Sequence, residues 1–190
     1  MPSPVGHFIG GVAAGWLVAG APAQSSPTPR SSAALWREAI VFGLLGIVPD
    51  FDLFFGSHRT ATHSIGAAFI VAGLAIVVWM SRLAGNQFAS LGLWRFACAC
   101  AAACASHALL DWLGHDTSAP FGIMALWPFS TTYYESGLHL FPAISRRYNQ
   151  GWTFIDQNVR AVGLEVAILG PILLLVIVFR RRHSALAERR

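Results

Sequence analysis

His107 and Asp111 stand four residues apart in an apolar stretch, a spacing that puts an imidazole and a carboxylate one helical turn apart on one face. Such a pair can bind one metal ion or two adjacent ions. Upstream, Asp50 and Asp52 follow the helix-ending Pro49, with His58 8 residues after Asp50 and His63 11 after Asp52. His63 is expected in the first turn of the third apolar segment, where Thr62 or Ser64 can cap the helix or orient the imidazole. His7 lies at the start of the first apolar segment. Imidazole nitrogens and carboxylate oxygens are what zinc, manganese and other divalent cations take as ligands.

Each residue alone has a plainer reading. His7 could be an interfacial polar residue, Asp50 and Asp52 loop caps, and His58 a solvated neighbour of Arg59. His107 with Asp111 could be a hydrogen bond within a helix. His115, Asp116, Glu135 and His139 have weaker claims, because the long loop that holds them imposes no spacing. Together they point to a metal only if the surrounding elements bring these side chains to one place.

The chain has 190 residues, 55% hydrophobic and 12% charged, with mean hydropathy +0.54. Soluble domains carry about 25% charged residues, so the composition points to an all-α polytopic membrane bundle formed by one domain, 1–190. Disorder is excluded by the aromatic content of 12%. All 13 basic residues are arginine, and they are scattered, so nucleic acid is not an expected partner. Residues 60–81 carry no charge, enough to cross a hydrocarbon core of about 30 Å. Residues 96–110 are likewise uncharged, and the last apolar run ends at Arg180, Arg181 and Arg182, with Gly170-Pro171 tolerated inside it. The expected spans are about 5–21, 33–49, 61–81, 94–113 and 161–179, the first two being full spans or a re-entrant hairpin. An aromatic outer loop is expected over 114–160, and a tail over 180–190.

Nine arginines fall on one side of this five-span arrangement and four on the other. The excess places the C-terminus in the cytoplasm and the N-terminus outside. His7, Asp50, Asp52, His58, His63, His107 and Asp111 then all emerge on the arginine-poor face. A carboxylate at membrane depth costs roughly 2.5–3.5 kcal/mol on insertion scales, so several near one boundary call for a compensating cation or a water-filled cavity. Ala21-Pro22-Ala23 resembles a signal-peptide cleavage site, but no Arg or Lys precedes the apolar run, so retention of residues 1–23 is expected. Cys98, Cys100 and Cys104 lie in a run otherwise made of alanine, which reads as small residues permitting close helix packing rather than a thiolate site.

At these residues the sequence resembles the bacterial membrane-bound metal-dependent hydrolases, described as LexA-regulated inner-membrane hydrolases of the YdjM and YbcI type. The matching elements are Gly6-His7, Pro49-Asp50-Phe51-Asp52 and His58-Arg59-Thr60-Ala61-Thr62-His63-Ser64, the last fitting the family's H-R-x-x-T-H-S signature. Ser106-His107-Ala108-Leu109-Leu110-Asp111 and Trp127-Pro128-Phe129 complete the set, so the likeness covers roughly residues 5–130. Thr60 replaces the usual glycine, and Leu53 stands where a histidine often follows the second aspartate, a role His115 could take over. The family is in turn thought similar to zinc-dependent phospholipases C and S1/P1-type nucleases. That likeness implies His7, Asp50 or Asp52, His63, His107 and Asp111 as ligands of one or two divalent ions, zinc first among them.

The expected activity is hydrolysis by metal-activated water near the outer leaflet of the inner membrane, on a phosphoester or lipid-linked substrate. One of Asp50 and Asp52 serves as ligand and the other as the base that orients water. Arg59 either holds a phosphate through its planar fork or snorkels at a helix end. Two other classes fit the same residues: a divalent-metal transporter, and a scaffold whose helices are clamped by a structural metal.

Overall fold

A computed structural model describes residues 1–20, 32–56, 58–81, 83, 88–89 and 91–187. The connection 21–31, with its resemblance to a cleavage site, and Arg30, Arg82, Arg189 and Arg190 of the arginine count lie outside the described residues. Among the described residues the fold is all-α, with five α-helices and no β-strand: α1 (Pro4–Ala19), α2 (Ser32–Ile47), α3 (Ile65–Met80), α4 (Leu93–Leu113) and α5 (Trp152–Ala187). α1 packs against α2, α4 and α5, while α3 covers α4. Two helices, α4 and α5, are long and apolar enough to cross a membrane; α1 and α3 are shorter apolar helices.

Helix starts follow local chemistry. Ser3 accepts from Gly6 N at 3.2 Å and Pro4 opens α1 without an amide to satisfy. Ser64 accepts from Ala67 N at 3.1 Å and so caps α3. The alanine-rich face of α4, with Ala99, Cys100 and Ala103, packs into a core with Phe42 and Phe96. Cys100 and Cys104 are buried and free, as expected of packing residues, whereas Cys98 is exposed and does not pack into the core. At the α1–α2 crossing, a side-chain carbon on Gly46 would meet the His7 carbonyl oxygen and, at 3.1 Å, Gly11 Cα. Only glycine lets the two backbones approach this closely.

Three differences from the sequence reading follow. The stretch after Pro49 is not an open loop: Val48–Phe55 is a 3-10 helix closed by Gly56 in the left-handed region. The loop expected over 114–160 ends at Gly151, because Trp152–Arg160 already belong to α5. Its polar residues hid that turn from a hydropathy reading, yet Asp156 and Arg160 pair at 2.9 Å one turn apart. Asn158 also ties α5 to Ser145, accepting from Ser145 N at 2.7 Å. Finally, the tail expected from Arg180 continues α5 to Ala187, and Arg180 is buried against Glu38 of α2.

Candidate metal centre

Four short stretches deliver the candidate ligands to one end of the bundle. His7 sits near the start of α1 and Asp50 in the 3-10 helix after α2; His63 lies not in the first turn of α3, as expected, but in a 3-10 turn, Ala61–His63, because Ser64 caps α3 and starts it only at Ile65. His107 and Asp111 occupy the last two turns of α4. All five are buried or, for Asp50, nearly so: its side chain keeps 17% exposure.

Asp111 Oδ2 lies 3.3 Å from His63 Nε2 and 3.2 Å from His107 Nε2. Asp50 Oδ1 lies 3.7 Å from each of the same two nitrogens. Ligand atoms about 2.0–2.2 Å from a tetrahedral ion stand roughly 3.3–3.6 Å apart, close to the separations found here. His7 faces the other oxygens of the same carboxylates, with Nε2 3.3 Å from Asp111 Oδ1 and 4.0 Å from Asp50 Oδ2. Its ring stacks on His107 at 3.8 Å.

The donor atoms are also orphaned. Nε2 of His63 and His107, both ring nitrogens of His7, Asp50 Oδ1 and both oxygens of Asp111 are buried without a hydrogen-bond partner. Leaving one such group unpaired costs about 1–3 kcal/mol. A divalent cation placed among them satisfies every one of these atoms except His7 Nδ1, which the Nε2 contacts leave turned away, so these five residues fit a metal ion.

Surrounding contacts aim the lone pairs. His107 Nδ1 donates to the Gly46 carbonyl at 2.7 Å. Gly46 falls in the last turn of α2, where carbonyls lose helical partners, and Pro49 has no amide to offer it. His63 Nδ1 is 2.9 Å from Thr62 Oγ1, which donates to Asp52 Oδ2 at 2.7 Å. This chain keeps the His63 proton on Nδ1 and leaves Nε2 for the cluster. Asp52 also takes His58 Nδ1 at 2.9 Å and the Arg59 amide at 3.2 Å. Burial pushes its carboxyl up, but hydrogen bonds from His63, His58 and Thr62 outweigh that and hold it well below the usual carboxylate range.

The structure therefore brings His7, Asp50, His63, His107 and Asp111 together and sets Asp52 behind His63. Both roles considered for the hydroxyls beside His63 are filled, Ser64 as cap and Thr62 as orienting group. Arg59 is placed elsewhere: its guanidinium, buried, donates to Asp116 at 2.6 Å and to the carbonyls of Pro120 at 2.7 Å and Ser118 at 3.1 Å. His115 joins Glu135 and His139 in a separate exposed group. The sequence reading missed the Gly46 carbonyl, for which the glycine next to a helix-ending proline is the available signal. It also missed Glu165, which takes the Ser3 amide at 2.7 Å and the Ser3 hydroxyl, fixing the entry to α1 one turn before His7.

No curated protein and no solved structure matches the chain. The model of the YdjM inner membrane protein family matches residues 1–184, nearly the whole sequence. On that match the chain belongs to the YdjM inner membrane protein family.

Proposed function

We propose that this protein is a zinc-dependent hydrolase of the inner membrane that cleaves a phosphoester or lipid-linked substrate. The observation that carries the reading is the set of buried, unpartnered donor atoms of His7, Asp50, His63, His107 and Asp111 turned towards one another. Three imidazoles with two carboxylates are a donor set that suits zinc. Asp50, His63, His107 and Asp111 would hold one ion, and His7, which faces the same two carboxylates, would help to hold a second. When bound, the cation supplies Lewis-acid polarisation and acidifies water towards neutral pH.

The chain's own residues prepare that chemistry. The Gly46 carbonyl and the Thr62–Asp52 pair keep the lone pairs of His107 and His63 turned inward, which makes Asp52 a positioning residue rather than the base. Asp50 is the ligand with an exposed edge, so substrate reaches the cluster there. Arg59 staples the His58–Ser64 segment to the loop at Asp116. A cavity of about 520 Å³ beside His58 and Arg59 is lined by Ser145, Arg146, Arg147 and Gln157. Guanidinium groups at its edge suit the anionic head of a phosphoester.

The membrane setting rests on the family and on outward apolar faces such as Phe69, Leu74 and Val77 of α3 and Leu174 and Leu175 of α5. The arginine excess sets the cluster towards the periplasm and the C-terminus in the cytoplasm. The test is hydrolysis of a phosphoester panel, including a phospholipid and an isoprenoid phosphate, by detergent-purified protein. Turnover that disappears with chelator and in Asp111→Asn is expected. Wild type that holds stoichiometric metal yet turns over none of the panel would favour the structural clamp.

A further inference from the structure

His115, Glu135 and His139 lie outside the buried cluster, in a separate exposed group. Nδ1 of His115 and Nδ1 of His139 face each other at 3.0 Å, with the rings edge-on at 4.6 Å. Glu135 Oε1 is 3.6 Å from that same nitrogen of His139. One donor atom from each of the three side chains falls within 4.8 Å of the others. Two imidazole nitrogens that meet as a hydrogen bond must share one proton, and the carboxylate then gains only a distant neighbour. A cation instead takes both lone pairs and the carboxylate oxygen together.

The scaffold under these side chains is built, not loose. Leu140 N donates to Leu113 O at 2.8 Å, Ser136 N to Trp112 O at 3.1 Å, and His115 N to Phe141 O at 2.9 Å, tying both sides of His139 to the end of α4. His139 itself is held at φ 49°, a left-handed conformation uncommon for a residue with a side chain. All three residues are exposed, so coordination positions remain for water.

We infer that His115, Glu135 and His139 form a second, solvent-facing site for a divalent transition-metal ion of the Zn²⁺, Co²⁺ or Ni²⁺ type, which clips the outer loop to the C-terminal end of α4. The two-histidine, one-carboxylate set with open positions is a known zinc-binding combination. The site stands on its own residues and does not depend on the hydrolase reading.

Titration of the detergent-solubilised full chain with Co²⁺, followed by visible absorption and calorimetry, tests it. Wild type is expected to take up a further ion beyond those of the buried cluster, and Asp111→Asn to retain it. His139→Ala should bind that ion at least 10-fold more weakly, with a smaller loss in Glu135→Gln. These surface substitutions remove no buried contact, so circular dichroism should stay unchanged. Uptake of Co²⁺ by His139→Ala and Glu135→Gln with wild-type number and affinity would overturn the site. So would uptake confined to ions that Asp111→Asn abolishes.

Discussion

Two buried polar groups sit at opposite ends of α1 and solve the same problem differently. At one end, Glu38 meets Arg180 at 3.1 Å, and Arg180 also donates to the Gly20 carbonyl at 3.1 Å and lies over the Trp16 ring at 5.2 Å. There the chain supplies its own cation, and the guanidinium is held on three sides. About 20 Å away, at 1.5 Å rise per residue, two carboxylates and three imidazoles converge with their donor atoms unpaired. The first group carries its cation within the chain, whereas the carboxylates and imidazoles of the second have none until a metal ion is added. Function is expected where the chain leaves its polar groups unfinished.

Removing the built-in cation should have the largest effect on stability: Arg180→Ala takes the guanidinium away from the buried Glu38 carboxylate and should cost about 3–5 kcal/mol. Thermal unfolding in detergent measures it, and metal content should stay at the wild-type level. The double variant Glu38→Leu/Arg180→Met should regain most of that loss, because an apolar pair needs no partner. At the other end, Asp52→Asn keeps the fold but loosens His63, so metal affinity should fall about 10–100-fold in a competition titration. Gly46→Ala forces α1 and α2 apart where His7 and His107 are anchored. A loss of about 1–3 kcal/mol is expected, together with weaker metal binding. The smallest effect is that of Ser64→Ala, which removes the α3 cap for about 1 kcal/mol and should leave metal affinity near wild type.

Much of this was legible in the sequence because it is local. Four residues between His107 and Asp111 fix their common face, and a serine directly after His63 marks the helix start that positions it. Apolar content marks the helices despite the charges inside two of them, so α1 to α4 begin and end within about four residues of the apolar segments read from the sequence. What could not be read depends on packing between distant segments. Glu38 and Arg180 are 142 residues apart, and their pairing turns an expected tail arginine into a buried one. Arg59 finds Asp116 across 57 residues, a partner that no spacing rule supplies. The choice between Asp50 and Asp52 as the residue facing the cluster also stayed open in the sequence. Two residues apart, they part ways only once the 3-10 helix turns one carboxylate inward and sets the other behind His63. The group of His115, Glu135 and His139 required the loop to fold back on α4 before its members met.

The central claim is that His7, Asp50, His63, His107 and Asp111 together hold divalent metal at the end of the bundle where buried donor atoms are left unpaired. X-ray absorption at the zinc edge tests it most directly, on zinc-loaded full chain carrying His139→Ala so that the loop residues contribute nothing. The account predicts nitrogen and oxygen neighbours at about 2.0–2.2 Å with the outer-shell scattering of imidazole, lost when Asp111→Asn is added. A shell of water oxygens alone, or thiolate sulfur at about 2.3 Å, would contradict it.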